Sequence, residues 1–294
     1  MTLTALIFEA VGAVLRQSLF ASLLVIIFIA APSLARAAAY DDFARGVSAN
    51  LQGESALALT SFSAAIAAGG LASTQLPAAY RGRALAYLRL GKCEFAKPDL
   101  DTALHLAVDD IEAMGMRAFA AACVGDFALA SADYSTLIEK LPRNIEGYLG
   151  RGRVRWGVQN FAGASADLTQ AVQIAPKNAY AYLWLELVRA RAGTLDLRVA
   201  SDDVAHYDKD KWPYLLLALF AGSATADEVA SAASHGEDSV VRGQHCEADF
   251  YTGEWWLAHG DFVKAKAALQ AASTQCPNNS VAFFAAWAEL ERLK

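Results

Sequence analysis

Arginine and aspartate recur through this chain at a fixed step, and they are the residues most able to do chemistry. Arg83, Arg117 and Arg151 are spaced 34 residues apart, with Arg45 a few residues out of step before them, and Asp99, Asp133 and Asp167 share the interval. A row of guanidinium groups could bind an acidic ligand, but a matching row of carboxylates offers each a partner. Paired guanidinium and carboxylate groups form strong charge-assisted hydrogen bonds, and a matched pair tolerates burial that a lone charge does not. The expected role is a structural ion-pair ladder: Arg83, Arg117 and Arg151 against Asp99, Asp133 and Asp167.

The four cysteines give a second chemistry. Cys246 and Cys276 stand at the two ends of what reads as one helical hairpin, so an antiparallel arrangement brings them together as a disulfide. Cys93 and Cys123 have the same separation in a different phase, at one edge of the stack, which leaves a second bridge open; the alternative for them is a pair of small buried thiols. His245, Cys246 and Cys276 could supply three ligands to zinc. No fourth is apparent and an exported chain favours the disulfide, so no metal is expected. No Gly-x-Ser-x-Gly elbow, His-Glu-x-x-His pair or phosphate-binding Gly-x-x-x-x-Gly-Lys loop occurs. Catalysis would need a constellation assembled in space, and no cofactor is implied.

These residues are carried by a repeated pair of helices. Between Asp110 and Pro176 one pattern occurs twice at a step of 34: Ala118 matches Gly152, Ala130 matches Ala164, Tyr134 matches Leu168 and Pro142 matches Pro176. Turns fall at Gly125-Asp126-Phe127 and Gln159-Asn160-Phe161, and Tyr80 to Ala103 fits the same template. Such a unit cannot bury its apolar face alone, so neighbours must stack. With 55% hydrophobic residues and 19% charged, the 294-residue chain can fill a large core. Its net charge of −6 argues against a nucleic-acid partner.

The pattern resembles the tetratricopeptide repeat, which implies an all-α solenoid of stacked antiparallel hairpins. Units 1–5 occupy residues 40–204, a degenerate hairpin 205–244, and a last unit with a C-terminal capping helix 245–294. Arg198 and Asp202 interrupt the fifth unit, whose second helix should be short. Thr225 followed by Glu228 fits a capping box. Phe284, Trp287 and Leu290 fall along one side of the closing helix. Lys211-Trp212-Pro213-Tyr214, Cys246-Glu247-Ala248, Gly253-Glu254-Trp255 and Gly260-Asp261 are together similar to periplasmic repeat proteins of the new lipoprotein I type.

Leu19–Ala31 is an apolar run preceded by Arg16 and followed by Pro32 and small residues, which reads as a signal peptide over residues 1–37, cleaved after Ala37 or Ala39. The expected location is periplasmic or secreted; the alternative is an inner-membrane anchor through residues 19–31, the only route to a membrane contact. No lipid-acceptor cysteine stands near the cleavage site.

The family resemblance implies a non-enzymatic scaffold or adaptor that binds protein in the concave groove formed by the first helix of each repeat. Matching the groove positions selects Arg81, Leu85, Arg89, Phe119, Arg153, Trp156, Leu187 and Arg191. The partner would be a protein or peptide segment with apolar and acidic residues, and the resemblance to an envelope adaptor suggests a peptidoglycan-processing enzyme or protease. The competing class is an envelope hydrolase or ligand carrier with a cryptic pocket. An open curved groove would favour the scaffold, and a closed, deep pocket with convergent polar groups the alternative.

Overall fold

The computed structural model describes residues 36–294, which are helical with no strand among them. The expected signal segment and apolar run 19–31 lie outside the described residues. The cleavage points at Ala37 and Ala39 fall inside the first described helix, α1, residues 36–52, where Ala39 is buried. No described helix is long and apolar enough to cross a membrane.

The chain divides into two compact units, Met1–Ala86 and Tyr87–Lys294. In the first, α1 meets α2 (Ser55–Ala67) and most of α3 (Leu76–Arg89). Phe62 fills its core with Ala49, Ala58, Ala79 and Ala86. A β-carbon on Gly46 would stand 2.9 Å from the Phe62 ring, and one on Gly82 2.4 Å, so the glycines are what let the helices close on the ring.

In the second unit, α4 (Cys93–Leu106), α5 (Ile111–Cys123), α6 (Phe127–Lys140), α7 (Ile145–Gly157), α8 (Phe161–Ile174) and α9 (Ala179–Arg191) each pack on the next. It begins with two complete hairpins in register, α5 with α6 and α7 with α8, flanked by α4 and α9. Their starts are set by side chains that recur with the repeat. Asp110, Asn144 and Asn178 cap α5, α7 and α9, and Asp126 and Asn160 cap α6 and α8, each accepting from a first-turn amide. Each cap satisfies an orphan donor and stabilises by about 1 kcal/mol. A β-carbon on Gly152 would lie 2.9 Å from Leu168, and one on Gly150 2.2 Å from the Tyr134 ring. Small residues therefore set the approach both within a hairpin and between hairpins.

After α9 the regular stack ends. α10 (Leu197–Val204) is the short second helix expected for the fifth unit, and α11 (Tyr214–Phe220) and α12 (Ala226–Ala232) follow. Thr225 and Glu228 form the capping box at α12. α13 (Asp238–Ala258) begins seven residues before the expected boundary at 245, then pairs with α14 (Phe262–Gln275). The continuous core of this half gathers Leu183, Trp184, Leu216, Phe220, Phe250 and Leu269.

The last helix, α15 (Val281–Arg292), packs on α13 and α14 and also reaches the repeats. Phe284 meets Phe119 of α5 edge-on at 6.3 Å. Arg292 lies 5.3 Å from the Trp156 ring of α7 and donates to Gly157 O. In the loop before it, Asn279 donates to Arg89 O at 2.8 Å. The expected end cap is thus a helix laid across the first helices of earlier hairpins.

Candidate functional site

The ion-pair ladder is regular within the second unit. Arg117 of α5 donates through Nε and Nη2 to the two carboxylate oxygens of Asp133 on α6, both at 2.8 Å, and through Nη1 to Asp101 on α4 at 3.1 Å. Arg151 of α7 repeats this with Asp167 on α8 at 2.9 and 2.8 Å, and with Ser135 on α6 at 3.0 Å. Each arginine therefore ties its own hairpin together and reaches back to the preceding one. Hydrogen bonding to these carboxylates holds both guanidinium groups above their usual pKa. Arg83 and Asp99 fall in different units; within its own, Arg83 Nη1 donates to Ser63 Oγ at 3.4 Å. Arg45 departs from the ladder, pairing with Asp42 at 2.8 Å on its own helix.

Cys246 and Cys276 have their sulfur atoms 2.11 Å apart and α-carbons 4.7 Å apart, within disulfide geometry. Cys93 and Cys123, for which the sequence leaves a second bridge open, stand as free thiols in contact, Cys93 buried and Cys123 half-buried. That contact lowers the Cys93 pKa and, with burial, raises that of Cys123. No group of three or more His, Cys, Asp or Glu able to hold a metal occurs among the described residues.

The expected groove is where sequence and structure differ most. Trp156 is 3% exposed and Leu187 fully buried, both in the main core. Arg191 faces an acidic partner within the chain: its Nη1 lies 2.6 Å from Glu254 on α13 and 3.1 Å from Glu289 on α15. Arg292 closes the cluster by pairing with Glu289. Glu254 is completely buried, and desolvation, with Glu289 beside it, pushes its pKa up to about 8 against the pull of Arg191. The groove over α7 and α9 is therefore closed by α13 and α15, so Trp156, Leu187 and Arg191 do not face a protein segment laid along it. The physical reason is that the chain after α9 does not continue the repeat but folds back onto it. Arg81 and Leu85, in the first unit, are half-buried, and Arg89 in the second is exposed.

Arg153 alone among the α7 and α9 arginines of the expected groove keeps the character expected of a binding residue. Among the described residues it makes no ion pair and its buried Nε has no hydrogen-bond partner, while its guanidinium carbon lies 5.3 Å from the Trp184 ring centre. It borders an open groove of ≈ 660 Å³ between α5 and α7, lined also by Leu88, Ile111, Glu112, Met116 and Glu146. Behind Phe119 and Tyr134 lies a more enclosed cavity of ≈ 340 Å³, with α15 forming one wall. Where the expected lining is apolar side chains and guanidinium groups, the open groove holds two acids, Glu112 and Glu146, beside one guanidinium, Arg153.

Glu247, singled out by its motif, is bound inside the protein. Trp212 Nε1 donates to it at 2.6 Å and Tyr180 Oη at 2.9 Å. Burial raises its pKa against these two hydrogen bonds. The Trp212 and Glu247 motifs therefore join the irregular segment to α13. Apart from the Thr225 box, the helix caps and the Arg191 cluster were not assigned from sequence; the caps had a signal, since Asp110, Asn144 and Asn178 recur at the repeat step, while Arg191, Glu254 and Glu289 are far apart in the chain.

No family model and no curated protein sequence matches the chain. Among solved structures it is similar to a tetratricopeptide repeat protein from Parabacteroides merdae, with 18% identity and a TM-score of 0.58 over 85% of this chain and 98% of that one. Similarity extends to a repeat-containing protein from Cytophaga hutchinsonii, at 16% identity and TM-score 0.45 over 83% of this chain and 86% of that one. It also reaches the pilF protein of Pseudomonas aeruginosa, at 12% and 0.48, over 90% and 99%. The chain has the tetratricopeptide-repeat fold.

Proposed function

We propose that the chain is a non-enzymatic interaction scaffold of the bacterial cell envelope, exported by its N-terminal segment with cleavage after Ala37, and oxidised at Cys246–Cys276. Its partner is a protein segment held in the open groove between α5 and α7. The observation that carries this reading is the groove itself: ≈ 660 Å³ of space lined by Leu88, Ile111, Met116 and Phe119, with Glu112, Glu146 and Arg153 around them. Apolar side chains supply the area that drives association, and the charged ones set register and orientation. This lining suits a segment with an apolar anchor flanked by basic groups and one carboxylate for Arg153. The similarity of the Trp212 and Cys246 motifs to envelope adaptors supports a peptidoglycan-processing enzyme or protease as the partner. Glu247 is already bonded to Trp212 and Tyr180, which gives no support to a hydrolase reading.

Affinity capture from envelope extract, quantified by mass spectrometry, tests it. Met116→Glu should reduce recovery of the principal partner by about tenfold or more, since it puts a third carboxylate among the apolar contacts. Undiminished recovery by a variant with unchanged circular dichroism would remove the partner from this groove.

A further inference from the structure

The ≈ 340 Å³ cavity behind the groove has a chemistry of its own. Its walls are aromatic: Phe119, Tyr134, Trp156, Trp184, Phe284 and Trp287 all border it. Two of its lining residues hold hydrogen-bond donors that are buried and unused, Arg153 Nε and Trp156 Nε1. A buried indole N–H ordinarily finds an acceptor, and leaving a buried donor unpaired costs free energy. Arg153 also has no ion-pair partner among the described residues, whereas its neighbours in the ladder are paired. Arg292, the other guanidinium near the rings, is taken by Glu289 and Gly157 O.

We propose that this cavity binds a small monocarboxylate with an aromatic or alkyl body, the hydrocarbon lying among the rings and the carboxylate satisfying Arg153 and Trp156. The carboxylate neutralises the unpaired guanidinium and, with a small side-chain shift that uncovers the buried Arg153 Nε and Trp156 Nε1, accepts from both. The body removes apolar wall from water without requiring polar contacts that the rings cannot supply. Size and closure select a small molecule over a polypeptide. Small-molecule sites run from about 300 to 1,000 Å³, so this one lies at the lower end. α15 also walls it along Phe284, Ala285 and Ala288. The inference goes beyond the scaffold reading, and the two fail separately: partner recovery tests the groove, ligand titration the cavity.

The test titrates the full chain with phenylbutyrate, decanoate and the neutral phenylbutyramide, read by tryptophan fluorescence and calorimetry. Either acid should bind with Kd below about 1 mM, and phenylbutyramide about tenfold or more weaker than its acid, because it offers no charge to the guanidinium. Stronger binding of phenylbutyrate would point to an aromatic source, and of decanoate to a fatty acyl one. Arg153→Met should level acid and amide, while Ala288→Phe should fill the cavity and abolish binding of all three. If Ala288→Phe does not fold, the ratio of acid to amide in Arg153→Met still decides. No binding of either acid at about 10 mM would overturn the proposal. Equal binding of acid and amide to the unaltered chain, or an unchanged ratio in Arg153→Met, would do the same. Tighter binding of a phenylalanine-containing peptide, blocked by Ala288→Phe, would reassign the cavity to a partner's side chain.

Discussion

Replacing Arg191 by methionine separates a groove residue from a structural one. A solvent-exposed groove arginine contributes within about 0.5 kcal/mol of nothing to stability. Here the guanidinium is 2.6 Å from Glu254, whose side chain is 0% exposed, and 3.1 Å from Glu289. Removing one partner of a buried pair costs about 3–5 kcal/mol where the other is left charged, which for Glu254 means above about pH 8; below it the loss is that of a hydrogen bond to a protonated carboxyl, about 1–3 kcal/mol. Glu289 keeps Arg292, so the loss falls on Glu254, one of whose oxygens already lacks a hydrogen bond. In the unaltered chain the Glu254 pKa is raised to about 8 from an ordinary 4.5. Between those values the folded state holds a proton that the unfolded state has released. This carboxylate's contribution to stability is therefore complete below about pH 4.5 and declines as pH rises towards 8, by at most about 1.4 kcal/mol per pH unit. Without Arg191 the proton is held more tightly and the decline extends upward, so Arg191→Met should lose more stability at pH 9 than at pH 6. Urea unfolding followed by circular dichroism at both values measures this. Adding Glu254→Gln should restore much of the loss and flatten its pH dependence, a coupling that a double-mutant cycle isolates. A loss below about 1 kcal/mol at both pH values would refute the buried cluster and reopen the groove at α9.

Four further outcomes follow from other contacts. Asp167→Ala strips both Arg151 and Arg155 of a carboxylate that each meets at 2.8 Å, and should cost about 2–3 kcal/mol in chemical denaturation. Cys276→Ala should cost about 3–4 kcal/mol by opening a loop with a sequence separation of 30, and thiol titration of the denatured unaltered chain should find two free thiols. Gly150→Ala sets a β-carbon 2.2 Å from the Tyr134 ring and should destabilise by about 1–3 kcal/mol, read as a lower Tm. Gln159 holds a φ of 60° at the turn position where Gly91, Gly125 and Gly193 stand, so Gln159→Gly should raise stability by up to about 1 kcal/mol.

The repeat was legible because its demands are local and periodic. Gly152 and Leu168 face each other, Arg117 and Arg151 find aspartates sixteen residues on, and Pro142 and Pro176 follow the second helices at one step. Each requirement returns every 34 residues, so a single sequence holds several copies of the same evidence. The groove was not legible in this way. Its positions follow from the repeat, but their exposure depends on α15, which returns from more than ninety residues downstream of α9 to meet Arg191. Nothing periodic announces that return. Phe284, Trp287 and Leu290 do mark an apolar side on α15, yet Trp287 is 58% exposed at the cavity while Phe284 packs on Phe119. The amphipathic pattern identified the helix without saying which surface it would cover.

One position explains why the stack turns inward where it does. The ladder continues from Arg117 to Arg151, and the next step of 34 arrives at Leu185, while the aspartate row passes from Asp167 to Ser201. With both charges gone, α9 loses the pair that would tie it to a following second helix. Leu183, Trp184, Leu185, Leu187 and Val188 are all buried, so apolar residues run around α9 where α5 and α7 have one apolar side and one charged. A helix apolar all round needs cover on every side. α8, α11 and α13 pack on it directly. Buried charges on this helix are paired: Glu186 with Arg189 one turn on, and Arg191 with Glu254 and Glu289 from the covering elements. The loss of the ladder and the enclosure of α9 thus fall at the same place in the chain. Leu185→Arg with Ser201→Asp would restore the ladder's charges to a helix already enclosed, and should unfold this half of the chain instead of reopening the groove; a soluble, cooperative double variant would show that enclosure of α9 does not depend on Leu185.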